Sequence, residues 1–339
     1  MEERIISPAR GEEEANFEVS LRPQTLDEYV GQENIKENLR VFIKAAGMRQ
    51  EALDHVLLCG PPGLGKTTLS NIIANEIGVD IKATSGPAIE RPIDLLVLLK
   101  NLKENDVLFI DEIHRLNRAT EEILYSAMED FTFDRVISQS SVVKSAKIKL
   151  PKFTLIGATT RSGMLTSPLR NRFGINFNLD FYSPENLKDI IMRSSRILDI
   201  EVEEDAGYII AHRSRGTPRV ANRLLKRVRD FAQVAETGII DSTIANDSLY
   251  KLGIDSKGLD ELDIKIMHFI IEKFNGGPVG IETLAHAVNE ESENIEQVYE
   301  PYLIQLGFIN KTSRGRCAGI SAYEHLGLEV PQNSQISLL

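Results

Sequence analysis

Gly60-Pro61-Pro62-Gly63-Leu64-Gly65-Lys66-Thr67-Thr68 fits the pattern G-x-x-x-x-G-K-[ST]. It follows an apolar run, His55–Cys59, and opens a helical stretch, Thr67–Ile77. A buried strand, a glycine-rich turn and a helix N-terminus in that order make a cradle for phosphates. The glycines let the backbone wrap the anion, and the amides of the first helical turn point at it. In such a cradle Gly63 and Gly65 shape the loop and Lys66 reaches the β- and γ-phosphates. The Thr67 hydroxyl, with Thr68 beside it, offers an oxygen to Mg2+. A chance Gly/Pro-rich turn would not have both flanking elements in register.

Outward from this loop, Val107–Ile110 and Phe153–Ile156 also read as buried strands, with helical stretches such as Thr120–Asp130 between them. Strands alternating with helices over 21–182 predict an α/β domain, a parallel sheet covered on both faces. Val107–Ile110 ends in Asp111-Glu112, forty-five residues after Lys66. Two carboxylates at the carboxyl end of a strand lie beside the phosphate loop. Asp111 is suited to hold Mg2+, directly or through water, and Glu112 to orient and polarise an attacking water. His114 reads as packing. The chemistry these residues specify is ATP hydrolysis.

The rest of the 339 residues divides by pattern. Residues 1–20 read as a mobile acidic tail containing Glu12, Glu13 and Glu14. Ser183-Pro184-Glu185 is a helix start, and 183–253 reads as a small all-helical domain without strands. Gly253 to Gly258 reads as a hinge. Over 256–339 the pattern is helix (Asp263–Phe274), helix (Ile281–Val288), helix (Ser292–Leu306) and a hairpin flanked by Phe308–Ile309 and Ala318–Ile320, which makes a winged-helix domain. The tail from Pro331 reads as disordered. Hydrophobic residues make up 42%, so the chain can bury a core and is not disordered over most of its length. No apolar run approaches the ~20 residues of a membrane helix, and Cys59 and Cys317 form neither a zinc pattern nor a disulfide framework. These features point to a reducing compartment, most simply the cytoplasm.

With 39 Lys+Arg against 50 Asp+Glu, a net charge of −11, nucleic acid would have to be met by local patches. Arg213 to Arg229 carries seven basic residues and no acid; it reads either as a DNA-binding helix or, preferably, as a face that meets ATP or an acidic neighbour. Glu290–Glu300 holds five glutamates and would repel phosphates, which leaves Lys311, Arg314 and Arg316 on the wing turn as DNA contacts or as a solvated hairpin. Phe133 to Leu150 reads as two short strands, Val136-Ile137 and Ile148-Lys149-Leu150, around a serine-rich turn with an exposed apolar tip.

The chain resembles the AAA+ ATPases and, within them, the RuvB family of Holliday-junction branch-migration motors. The resemblance covers about residues 20–330. It rests on Leu21-Arg22-Pro23, Tyr29-Val30-Gly31-Gln32, the phosphate loop, Asp111-Glu112-Ile113-His114-Arg115-Leu116, Gly157-Ala158-Thr159-Thr160-Arg161, Ser167–Gly174 and Arg215-Gly216-Thr217-Pro218-Arg219. It implies that Thr160, with Thr159 beside it, senses the γ-phosphate or its water. It makes Arg172 an arginine finger inserted into a neighbouring subunit's site, and Arg219 a second sensor on a helical lid. Leu21, Arg22, Tyr29 and Val30 would line the adenine pocket with Tyr182 opposite, and Glu129, Asp130 and Phe131 would lie close to the nucleotide. The resemblance further implies ATP and Mg2+ as cofactors, a homo-hexameric ring around the duplex arms of a Holliday junction, and RuvA as partner through Ile148 and Leu150, with RuvC reached through a joint complex.

Three rivals share the ATPase core. A clamp loader commonly carries a Cys-rich module and a Ser-Arg-Cys finger, where this chain has Ser167–Gly174. An unfoldase would need an aromatic pore loop, and Ser85–Leu95 contains no aromatic residue. A winged-helix regulator switched by ATP would bind sites without translocating; intact Glu112 and Arg172 argue for turnover.

Overall fold

The computed structural model describes residues 19–139 and 142–331. The expected N-terminal tail up to residue 18, the turn residues Ser140 and Ser141, and the tail beyond Pro331 lie outside the described residues. The chain forms two compact units, 21–181 and the part from Tyr182 onward.

In the first unit the strands are β1 (Val56–Cys59), β2 (Ile81–Ser85), β3 (Val107–Asp111), β4 (Thr132–Gln139), β5 (Val142–Lys149), β6 (Thr154–Thr159) and β7 (Ile175–Asn178). Five of them make a parallel sheet in the order β2-β3-β6-β1-β7. β1 and β6 are buried along their whole length and β3 up to Asp111, as strands covered on both faces must be. The sequence patterns predict these three and miss β2 and β7. Both are edge strands, Ile81-Lys82-Ala83-Thr84-Ser85 and Ile175-Asn176-Phe177-Asn178, with polar residues at partly exposed positions that break the apolar run. Helices α1 (Glu33–Arg49), α2 (Lys66–Ile77), α3 (Pro92–Lys100), α4 (Arg118–Glu129) and α5 (Ser167–Arg170) complete the unit. Leu95 and Leu99 of α3 and Leu124 of α4 pack with Leu108, Ile110 and Leu155 in one core.

β4 and β5 pair antiparallel as a separate hairpin, from Thr132↔Lys149 to Gln139↔Val142. The ladder is longer than the two short strands read from the sequence. Leu150, expected near an exposed contact surface, is 8% exposed and donates its N–H to Phe131 O at 2.7 Å.

The second unit contains α6 (Pro184–Ile197), β8 (Glu201–Val202), α7 (Glu204–His212), α8 (Pro218–Val234), β9 (Ile239–Ile240) and α9 (Ser242–Lys251). β8 and β9 pair in parallel, so the segment expected to be all-helical carries a two-residue ladder, too short to leave a period-2 pattern. The winged helix follows: α10 (Glu261–His268), α11 (Ile281–Val288), α12 (Ser292–Asn294), α13 (Glu300–Gln305), β10 (Ile309–Thr312), β11 (Gly315–Ala318) and α14 (Ile320–Leu326). Wider π-type turns extend α10 over Phe269–Lys273 and join α12 to α13 over Ile295–Tyr299. No described helix is long and apolar enough to cross a membrane.

The stretch read as a hinge is stitched in place. Asp255 Oδ1 accepts from Lys257 N–H and Leu259 N–H at 2.8 Å each, and Ile254 and Leu259 are buried. Gly258 packs against the Arg213 carbonyl so closely that a Cβ would collide with it. Beside it, Arg215 and Asp263 form a buried two-pronged ion pair at 3.0 and 3.3 Å, the guanidinium lying 5.4 and 4.9 Å from the Tyr299 and Tyr302 rings. Burial pushes the Asp263 carboxyl up to about 7, with Arg215 pulling the other way. Replacing Asp263 with Ala leaves a buried guanidinium without its partner. The expected loss is about 3–5 kcal/mol in denaturant unfolding, mostly recovered in the Arg215→Met/Asp263→Leu pair.

Candidate nucleotide-hydrolysing site

A parallel sheet puts the carboxyl ends of all its strands at one end, where the phosphate loop leaves β1. Gly60, Gly63 and Gly65 have φ of 141°, 82° and 95°, a region in which a side chain is strained. Lys66 opens α2 and turns back into the loop, donating to Gly60 O at 2.6 Å and Pro61 O at 2.8 Å. Burial pushes its ammonium down to about 8, while Asp111 and Glu112 pull it up.

The segment before α1 is strapped alongside. Leu21 and Tyr29 are buried, and the Tyr29 hydroxyl lies 3.4 Å from Leu64 O. A Cβ on Gly65 would stand 3.0 Å from that hydroxyl, so the aromatic ring and the loop glycine are matched. Lys36 donates to Tyr29 O at 2.8 Å, Gln32 to Asp180 O at 2.7 Å, and Leu26 N–H to Glu76 Oε1 at 2.8 Å. Arg22 and Val30 belong to the same strap.

Asp111 ends β3, and its Oδ1 accepts from Glu112 N–H at 2.9 Å. Glu112 has φ 47°, left-handed for a non-glycine residue, and its carboxylate rests 3.2 Å from Arg115 Nη1. Gly86 lies against the Glu112 carbonyl with no room for a side chain. At the end of β6, Thr159 Oγ1 accepts from Arg161 N–H at 3.0 Å and lies 2.9 Å from His114 Nδ1. Its neighbour Thr160 carries a buried hydroxyl oxygen with no partner among the described residues. An orphaned hydroxyl is costly to bury, and this one lies at the end of the sheet where the phosphate loop is.

The donor set fits Mg2+. Thr67 and Asp111 supply hard oxygens, and no cluster of three or more His, Cys, Asp or Glu exists among the described residues. Mg2+ at phosphates takes few protein ligands and keeps water. Held by Thr67 and Asp111, it would supply charge neutralisation to the phosphates.

Glu129, Asp130, Phe131 and Arg172 are at the other end of the sheet. His55, just before β1, contacts Met128 O through Nε2 at 3.1 Å, and its Nδ1 accepts from Leu155 N–H at 2.9 Å. Burial pushes its pKa down, and the two bonds define a neutral ring with the proton on Nε2. Its ring also meets Phe131 and Phe153. Arg172 precedes β7, whose Ile175 N–H donates to His55 O at 3.1 Å. The guanidinium pairs with Glu129 at 3.0 Å, donates to Pro168 O at 2.8 Å and lies 4.5 Å from the Tyr125 ring centroid. Four residues of β1 at about 3.3 Å each separate this group from the phosphate loop. These residues therefore lie away from the nucleotide cradle of their own chain.

In the second unit, Tyr182 N–H donates to Gly216 O at 2.8 Å, and Arg219 is the second residue of α8, capped by Thr217. The basic stretch is not a free DNA face. Arg213 holds Asn246, Arg215 holds Asp263, and Arg227 and Arg229 share Asp230, one residue past the stretch. The wing is revised similarly. Arg316 is 6% exposed and engaged by Glu300 and by Glu296, and Lys311 pairs with the same two glutamates at 3.1 and 3.7 Å. Two of the five glutamates expected to repel DNA, Glu296 and Glu300, turn in to neutralise the wing. Arg314 is exposed, with no ion pair among the described residues. Ile148, at the hairpin root, packs against the core. The sequence reading missed His55, Tyr125 and Gly86; only the i, i+4 spacing of Glu121, Tyr125 and Glu129 hints at a shared helix face.

Phosphate loop, acidic strand end and the orphaned Thr160 hydroxyl together define a P-loop ATPase of the AAA+ class. Three family models match consecutive stretches: the Holliday junction DNA helicase RuvB P-loop domain over residues 21–179, the RuvB AAA lid domain over 182–255 and the RuvB C-terminal winged helix domain over 256–327. Among solved structures, the Thermotoga maritima RuvB Holliday junction branch migration motor is 52% identical with a TM-score of 0.85, covering 92% of this chain and 100% of its own. A variant of the same protein matches with 52% identity and TM-score 0.85 over 92% and 99%. The chain belongs to the RuvB family.

The buried Lys66 makes nucleotide binding pH-dependent. Phosphates favour the charged ammonium, so binding above the free value of about 8 takes up a proton. Affinity for ATP should fall as pH rises from 8 to 10. Calorimetry at pH 8 in two buffers of different ionisation enthalpy should record uptake of about half a proton.

Proposed function

We propose that this ATPase is a ring-forming motor that migrates Holliday junctions, with ATP hydrolysed between subunits and duplex DNA driven through the ring. The observation that carries this reading is the division of the catalytic set between the two ends of one sheet. Lys66, Asp111, Glu112 and Thr160 gather at the carboxyl end; Arg172 and Glu129 gather at the amino end. A guanidinium stabilises the charge of phosphoryl transfer only beside the phosphate. Here it reaches a phosphate by belonging to the next subunit, so turnover requires assembly, and we take the ring to be a hexamer.

In this reading Lys66 binds the phosphates, Thr67 and Asp111 hold Mg2+, Glu112 polarises the water and Thr160 holds it in place. Leu21, Arg22, Tyr29 and Val30, with Tyr182, enclose the adenine, and Arg219 reports the nucleotide to the lid of 183–253. The winged helix of 256–339 meets the junction arms. Because Arg316 is spent inside the domain, Arg314 and Lys311 carry the phosphate contact, which positions DNA without reading its sequence. RuvA is met by the β4–β5 hairpin beyond its root, RuvC joins through the same assembly, and the compartment is the cytoplasm.

The test is ATP-dependent dissociation of a synthetic four-way junction, with and without cognate RuvA, with Arg172→Ala run alongside. Stimulated strand separation that the variant loses is expected. ATP hydrolysis without junction movement overturns the motor reading. For the wing, Arg314→Ala should weaken binding to all duplexes alike and lower the salt slope by about 1. Arg316→Ala should instead lower the melting temperature.

A further inference from the structure

The Arg172 guanidinium does not stand alone on its loop. Three residues of α4 spaced by four, Glu121, Tyr125 and Glu129, form one stripe on that helix. Glu121 is buried, and its Oε2 accepts from the Tyr125 hydroxyl at 3.0 Å and from the Thr166 hydroxyl at 2.8 Å. The Tyr125 and Thr166 oxygens are 3.0 Å apart, so the two hydroxyls converge on one carboxylate oxygen. Thr166 also caps α5, the helix that leads to Arg172. The tyrosine ring is thus fixed at its hydroxyl end, and its face lies 4.5 Å below the guanidinium. Glu129 and Pro168 O hold the guanidinium from two further directions.

Each partner has a different character. Glu129 is exposed and neutralises the charge, so a phosphate competes with it directly. The tyrosine face attracts a cation without quenching its charge, and the bond from its hydroxyl to the buried Glu121 keeps that face where it is whatever the guanidinium binds. We propose that Tyr125 is a positioning residue for the arginine finger: a ring anchored by Glu121 and Thr166 that aims Arg172 at the neighbouring subunit's phosphates. This rests on the reading that Arg172 acts in the adjacent subunit. A long arginine side chain loses substantial rotamer entropy when held, and a prepositioned one has less to lose in the transition state.

The test uses full-length protein with RuvA and junction DNA. Tyr125→Leu should lower kcat for ATP about 3- to 30-fold, the range of a cation–ring contact, and leave KM unchanged. Tyr125→Phe, which keeps the ring but removes the anchored hydroxyl, should lower kcat in the same direction but less than Tyr125→Leu. Glu121→Gln, which loosens the anchor while keeping the volume, should shift kcat in the same direction as Tyr125→Leu.

The deciding measurement mixes subunits. Lys66→Ala subunits cannot hydrolyse ATP but carry an intact finger. Mixed with Tyr125→Leu subunits, they should restore the turnover of the Tyr125→Leu phosphate loops, as they should for Arg172→Ala subunits. Restoration for Arg172→Ala but not for Tyr125→Leu, or a change confined to KM, overturns the role of Tyr125 and leaves the finger assignment standing. Restoration for neither variant overturns the shared-site reading and this inference with it.

Discussion

All five strands of the nucleotide-binding sheet run in the same direction, and the other features of the unit follow from that constraint. Parallel pairing needs crossovers, which bury both faces, so β1 and β6 consist of buried residues. Parallel pairing also sorts the chain ends. Backbone amides, carboxylates and hydroxyls leaving β1, β3 and β6 converge at one end without any need to be near in sequence. The amino end collects His55, the end of α4 and Arg172 in the same way. A single protomer therefore has a phosphate cradle at one end and an arginine held ready at the other. The ring proposed above, closed by head-to-tail association, would join them.

Buried charge is handled by one device in three places. Lys66 is held by two loop carbonyls, and burial pushes its ammonium down to about 8. Arg215 is enclosed with Asp263 and two tyrosine rings, and Arg316 with Glu296 and Glu300. In the last two the partner is permanent and the pair fixes one arrangement of helices. In the first the partners are weak neutral acceptors, so a phosphate displaces them at little cost. The same physics, a cation out of water needing compensation, yields structural clamps where the partner is a carboxylate and a binding site where it is not.

The sequence discloses the features whose chemistry is local. The phosphate loop and Asp111-Glu112 need particular residues at particular spacings next to apolar runs, and both are legible in the residues alone. Edge strands such as Ile175–Asn178 are not, because their register with β1 is fixed by tertiary pairing rather than by their own polar pattern. Charge is the least legible property. Arg316, Arg227 and Arg215 look alike as letters; their separate fates depend on Glu300, Asp230 and Asp263, placed by the fold. Leu150 shows the same limit for apolar residues: its exposure depends on how far the hairpin ladder runs before reaching the core.

β1 is four residues long, and both ends are occupied by function. Its last residue, Cys59, accepts the Leu179 N–H at 2.8 Å next to the phosphate loop, and its first follows His55, whose ring is bonded both to α4 and to β6. The strand lies between β6 and β7 in a close-packed sheet, and such interiors transmit small displacements rather than absorbing them. A neutral histidine with both nitrogens engaged cannot turn without breaking one bond or leaving a buried group unpaired. The position of the Arg172 guanidinium is therefore tied to the strand that carries the chain's own phosphate loop. In a ring joined head to tail, each site is completed by a residue whose placement depends on the strand of the adjacent site. In the ring proposed above, communication between neighbours would need no separate relay, because the sheet itself spans the distance.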